Sequence, residues 1–106
     1  MQKNVNVEKK AIGAGPATMV LELTVNNHPG VMSHICGLFS RRAYNLEGIV
    51  CVPIASGESS RMWLQVNEGQ KLEQVIKQVQ KLPDVQSVVR HDAGHEVFAS
   101  LSAYVK

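Results

Sequence analysis

Aromatic residues are scarce in this sequence, at 5% with a single tryptophan, and cysteine is scarcer, with Cys36 and Cys51 alone. A surface that reads bases by stacking needs several aromatics interleaved with basic residues, so the shortage argues against nucleic acid as a partner. Two cysteines without a CxxC spacing indicate neither a disulfide framework nor a thiol-redox motif, and are expected to be small buried hydrophobes of a reduced protein. An excess of one charge sign is missing too. Eleven Lys and Arg against nine Asp and Glu leave +2, too little to call for a nucleic acid or an anionic membrane. No apolar run approaches the roughly 18 residues of a membrane span. The first residues carry Lys3, Glu8, Lys9 and Lys10 but no apolar stretch of the kind a secretory signal needs. These absences lead to the expectation of a cytoplasmic protein with no membrane partner.

What is present is ordinary globular composition, 44% hydrophobic and 19% charged in 106 residues. That is length for one core, since domains run to roughly 150 residues. Residues 1–18 hold Gly13, Gly15 and Pro16 without a sustained apolar period and read as a flexible leader. Residues 19–91 carry the periodic segments. Leu21, Leu23 and Val25 alternate with polar neighbours, predicting a strand that Asn26-Asn27-His28-Pro29-Gly30 ends in a turn. Val31, Ile35, Leu38 and Phe39 then share one helical face. Leu46 to Ile54 is β-branched, with Pro53 where an edge strand or strand end tolerates it. Met62, Leu64 and Val66 alternate with Arg61, Trp63 and Gln65, predicting a hairpin partner with Trp63 on the opposite face.

Asn67-x-x-Gln70 has the spacing of a capping box ahead of Leu72, Val75, Ile76, Val79 and Leu82, the clearest helical pattern in the chain, which Pro83 stops. Val85 to Arg90 reads as a fourth strand and His91 to Glu96 as a polar loop. In residues 92–106 the alternation of Val97, Ala99, Leu101, Ala103 and Val105 predicts an extra strand. The order β-α-β-β-α-β specifies an α+β, ferredoxin-like sandwich with both helices on one sheet face and the other face uncovered.

No catalytic residues can be assembled from this sequence. A nucleophile, base and orienter do not converge in the pattern, and Gly13-x-Gly15-Pro16 does not complete GxGxxG or follow a strand. The loop after the first strand lacks the arginine that a phosphate-cradling, acylphosphatase-like enzyme would need. His91 and His95 have an HxxxH spacing, but Gly94 and the loop context spoil the helical geometry and a zinc site wants three or four protein ligands, so no metal is expected. The informative segment is Asn27-His28-Pro29-Gly30-Val31-Met32. A helix start presents unpaired amides and partial positive charge suited to a carboxylate, and Gly30 lets a ligand approach the backbone. The same residues also fit a plainer role, with Asn27 capping the helix and Pro29 and Gly30 shaping its turn. Asn45 likewise fits a simple turn residue after Tyr44.

The stretch from Leu21 to Ile49, LELTVNNHPGVMSHICGLFSRRAYNLEGI, resembles the opening of the small subunit of acetohydroxyacid synthase, of the isozyme I type, within the ACT family. The likeness runs from about Met19 to Arg90, and its specific features are the N-x-x-G turn and the Gly37 to Asn45 run GLFSRRxYN. It implies a regulatory subunit that is not itself an enzyme, activating a large catalytic subunit and mediating feedback inhibition by a branched-chain amino acid, valine foremost. It implies a homodimer whose ACT modules join side by side, with the effector at their interface. Residue by residue, Asn27, Gly30 and Asn45 match positions associated with valine sensing, and the amides of Val31 and Met32 match a carboxylate cradle that His28 and Pro29 adjoin. Ile49 is the expected apolar wall for the effector's side chain. Thiamine diphosphate, Mg and FAD are implied on the large subunit, and no cofactor in this chain. The alternative is an ACT-type module sensing an amino acid for another metabolic enzyme.

Overall fold

A computed structural model describes residues 18–67, 69–92 and 95–105. Apart from Thr18, the expected leader lies outside these residues. β1 (Thr18–Asn26) ends at the predicted turn and is followed by α1 (Val31–Arg41), β2 (Gly48–Ile54), β3 (Ser59–Asn67), α2 (Leu72–Gln80) and β4 (Val85–His91). The four strands form one sheet in the order β2-β3-β1-β4, and every neighbouring pair is antiparallel. This is the α+β, ferredoxin-like architecture expected from the element order.

Strand periodicity decides what each face holds. Met19, Leu21, Leu23 and Val25 of β1 and Met62, Leu64 and Val66 of β3 point to one face and are buried. On them pack Val31, Ile35, Leu38 and Phe39 of α1 and Leu72, Val75 and Val79 of α2 in a single core cluster. Each such side chain, fully buried, contributes roughly 1.5–3 kcal/mol of transfer free energy. α1 ends on Ala43 at φ 57°, with the Ala43 amide donating to the Ser40 carbonyl and the Tyr44 amide to that of Phe39. Those two bonds are a Schellman closure, here without the usual glycine.

Three expectations about this architecture are corrected. Residues 97–105 do not form a strand; they form α3 (Glu96–Leu101) and a 3-10 turn (Ser102–Tyr104). Ala99, Ser100, Ser102 and Ala103 in the middle of that segment have little β preference. A helix needs only Phe98 to be buried, while Tyr104 and Val105 stay 82% and 60% exposed. In consequence the second sheet face is not wholly open. Phe98 packs so closely over β2 that a Cβ on Gly48 would come within 2.8 Å of its ring and 2.9 Å of Gln65 Oε1. The capping box does not form either. α2 begins at Leu72 with no side-chain cap, because Asn67 is still in β3, where its carbonyl accepts the Tyr44 hydroxyl at 2.6 Å.

Candidate functional site

Where β1 leaves the sheet, the turn into α1 is braced from two sides. The Asn26 amide donates to the Asp84 carbonyl at 2.8 Å and the Asn27 amide to that of Glu58 at 2.9 Å. The Asn27 side chain donates to the Gly57 carbonyl at 2.7 Å, so it ties the turn to the β2–β3 hairpin and does not cap the helix. Gly30 is the N-cap residue at φ 89°, a left-handed conformation that any side chain would strain, and a Cβ there would meet only open space. The Val31 amide reaches the His28 carbonyl at a long 3.4 Å, and regular bonding starts with His34 to Gly30 at 2.9 Å. Among the described residues the Met32 and Ser33 amides have no backbone acceptor. Those free donors and the helix dipole make the turn attractive to an anion.

His28 adds a titrating cation beside them. Its Nε2 lies 2.7 Å from Asp84 Oδ1 and its Nδ1 3.1 Å from the Pro29 carbonyl. Both neighbours are acceptors, so both are satisfied when the ring carries two protons. The Asp84 bond, then the Pro29 carbonyl, hold the His28 pKa above the usual histidine value. The bonds from His28 and Asn26 hold the Asp84 carboxyl below the usual carboxylate value. The raised histidine contributes its full stability below about pH 6.5 and loses it as pH rises through the folded-state value; the lowered carboxylate contributes above about pH 4 and loses it on further acidification. The brace is therefore complete between those limits. We expect Asp84→Asn to bring the His28 titration down, visible by NMR of the imidazole carbon-bound protons; an unmoved titration would show that the ring owes its proton to something else.

A pocket of about 110 Å³ opens beside this turn, lined by Val25, Asn26, Asn27, His28, Val31, Met32, Cys51, Ser60 and Met62. Four of the sequence-predicted residues, Asn27, His28, Val31 and Met32, line it, and Pro29 and Gly30 form the adjoining turn. Asn45 and Ile49 do not. Asn45 stands in a separate hollow of about 190 Å³ with Ala43, Tyr44, Asn67 and Gly69, where its amide donates to Glu47 Oε2 at 2.9 Å. Ile49 is 41% exposed near the start of β2. The register explains the separation. Ile54 pairs with Ser59 and Ser59 with Asn26 at the turn end of the sheet, whereas Gly48 pairs with Gln65 and Gln65 with Val20 at the other. The two groups of predicted residues thus sit at opposite ends of β2, which is an edge strand.

Asp84, Gly57, Ser60 and Cys51 join the site without having been predicted. Asp84 is 56 positions from His28 and Gly57 is 30 from Asn27. Only strand pairing brings such residues together, and no local spacing announces it. The reading of His91 to Glu96 as a polar loop also needs correction, since His91 is the last residue of β4 and Glu96 the first of α3. His91 and His95 are partly buried, and His91 Nε2 lies 2.8 Å from Glu22 Oε1.

Comparison with known proteins agrees with this fold. Residues 21–87 match the family model described as the AHAS small subunit-like ACT domain. The chain is 51% identical over 86 residues to the acetolactate synthase isozyme 1 small subunit of Escherichia coli, covering 81% of this chain and 90% of that one. It is 36% identical to the acetolactate synthase small subunit of Mycobacterium bovis, covering 82% of this chain but 52% of the longer relative. The crystal structure of the acetolactate synthase small subunit from Thermotoga maritima superposes with a TM-score of 0.62 at 32% identity, over 69% of this chain and 46% of that one. The ACT domain of a GTP pyrophosphokinase from Chlorobium tepidum, 20% identical with a TM-score of 0.58 over 69% of this chain and 95% of that one, shares the fold.

Proposed function

Because this chain belongs to the family of acetolactate synthase small subunits that carry an ACT domain, we propose that it activates a large catalytic subunit and makes it responsive to a branched-chain amino acid, valine foremost. In this reading thiamine diphosphate, Mg and FAD reside on the large subunit, both subunits are cytoplasmic, and this chain contributes regulation only.

The observation that carries the sensing role is the β1–α1 turn. Free amides of Met32 and Ser33 and the protonatable His28 offer a site for a carboxylate, and Val25, Val31, Met32 and Met62 offer apolar wall within the same pocket. Asn45 and Ile49 enter through symmetry. If two copies join β2 to β2 about a twofold axis, the strands run antiparallel, and the Gly48 end of one copy lies against the Ile54 end of the other. Asn45 and Ile49 of one protomer then approach the Asn27–Met32 turn of its partner. The pairing creates two equivalent composite sites, and it covers the exposed edge of β2.

Inhibition through such a site requires that the effector bind one state of the complex more tightly than the other. A coupling of about 1–3 kcal/mol corresponds to a 5- to 150-fold change in affinity. Isothermal titration calorimetry with valine, leucine, isoleucine and serine tests the proposal. We expect selective, saturable binding of a branched-chain amino acid, weakened by Asn27→Ala and by Asn45→Ala. Both side chains are exposed, so circular dichroism should stay unchanged. Equal affinity in either variant would remove that residue from the site.

A further inference from the structure

On the sheet face opposite α1 and α2, three side chains from distant parts of the chain converge. Glu22 projects from the middle of β1, His91 ends β4, and His95 immediately precedes α3. Glu22 pairs with Val89 across the strands and Val20 with His91, so Glu22 and His91 are diagonal neighbours on one face. Glu22 Oε1 lies 2.8 Å from His91 Nε2 and 3.9 Å from His95 Nε2. The two imidazoles meet edge to face with centroids 4.7 Å apart. One ligand atom from each residue falls within 4.8 Å of the other two, and the side chains are only 22%, 29% and 27% exposed.

We propose that Glu22, His91 and His95 bind a divalent transition ion of the zinc class, with solvent completing the coordination, and that the ion clips the start of α3 to β1. Imidazole nitrogen and carboxylate oxygen are the donors such ions select, and two histidines with one carboxylate is a set zinc uses where a coordination position stays open to water. HxxxH alone offers two ligands; the β1–β4 register supplies the third. The two Glu22 oxygens are already differentiated. Oε2 lies 3.5 Å from Arg61 Nε, which orients the carboxylate from behind, while Oε1 faces both histidines. On ligation the proton shared between His91 Nε2 and Glu22 Oε1 leaves, and the ion takes its place. His95 makes an exchange. Its Nδ1 accepts the Val97 amide at 3.0 Å, and ligation through Nε2 moves the remaining ring proton to Nδ1, giving up that bond for one to the metal.

Trp63 makes the site easy to interrogate. It is the sole tryptophan, and its ring centroid is 6.1 Å from that of His95. The full chain, stripped with chelator, is titrated with Co²⁺ while following both the visible ligand-field bands and Trp63 fluorescence, and Zn²⁺ is then added as competitor. The expected result is one ion per chain, quenching of Trp63, and displacement by Zn²⁺ that reverses the quenching. His91→Ala and His95→Ala should each weaken binding by about tenfold or more, and Glu22→Gln likewise. His34→Ala, on α1, should leave it unchanged. Should Glu22→Gln loosen the sheet, the two histidine variants carry the test without touching Arg61's partner. Absence of stoichiometric binding, or binding unchanged in a variant lacking both His91 and His95, would overturn the proposal and leave a plain ion-pair network.

Discussion

On the proposed reading of the β1–α1 turn as the effector site, Gly30→Asp is expected to cut the affinity for valine by about thirtyfold or more, the largest change any single exposed residue among those described should produce. Two effects act together. At φ 89° a side chain is strained by roughly 1–2 kcal/mol, which raises the energy of the turn that presents the amides. The added carboxylate then stands near the ligand's own, where two like charges about 4 Å apart repel by about 1 kcal/mol in bulk water and about 4 kcal/mol near a protein surface. Since each 1.4 kcal/mol is about tenfold in affinity, the summed cost of about 2–6 kcal/mol corresponds to a loss of about thirtyfold at its low end and about ten-thousandfold at its high end. Gly30→Asn separates the two, because asparagine tolerates the left-handed conformation about as well as aspartate but adds no charge. Calorimetry should rank wild type above Gly30→Asn and Gly30→Asn well above Gly30→Asp, with the second gap narrowing in high salt. Identical affinities for the Asn and Asp variants would mean that no anion docks at this turn.

Phe39→Ala should be the most damaging change to the fold, at about 3–5 kcal/mol. Its ring is 1% exposed in the core and meets Tyr44 edge-on at 6.4 Å, and the Tyr44 hydroxyl in turn fixes the end of β3 through Asn67. The truncation therefore leaves a cavity under α1 and frees the segment that carries Asn45. A domain of this size is stable by about 5–15 kcal/mol, so the variant should lose a large fraction of that and sit near unfolding at 37 °C. Urea denaturation followed by circular dichroism measures it. A loss under about 1 kcal/mol would show that Phe39 does not organise the core as its burial indicates.

The sandwich was legible in the sequence because its signals are periodic. Leu21, Leu23 and Val25 declare a half-buried strand, and Leu72, Val75 and Val79 a one-sided helix, with no knowledge of what lies opposite. The alternation of Val97, Ala99, Leu101, Ala103 and Val105 looks like a strand, but α3 is placed by Phe98 packing over Gly48 of β2, a contact between residues far apart in sequence that no local period announces. The candidate site divides in the same way. Asn27 to Met32 is contiguous, and its turn chemistry pointed to amides exposed at a helix start. Asp84, Gly57 and Cys51 reach the turn only through strand pairing. Glu22 shows the same limit, since nothing near His91 and His95 in sequence announces a carboxylate on β1.

β1 has a kinetic consequence apart from its place in any site. It is the first element described in the chain, and both of its partners, β3 and β4, follow much later, with Met19 opposite Val66 and Val20 opposite His91. Four of its residues have nowhere to hide until α1, β3 and α2 are made. Pairing over such sequence separations closes large loops and slows folding. During synthesis the segment Met19 to Val25 is thus an unpaired, apolar, β-prone stretch, the kind that invites chaperone capture or association between nascent chains. The rate at which the second half of the chain emerges, more than any local propensity of β1, should set how long that exposure lasts.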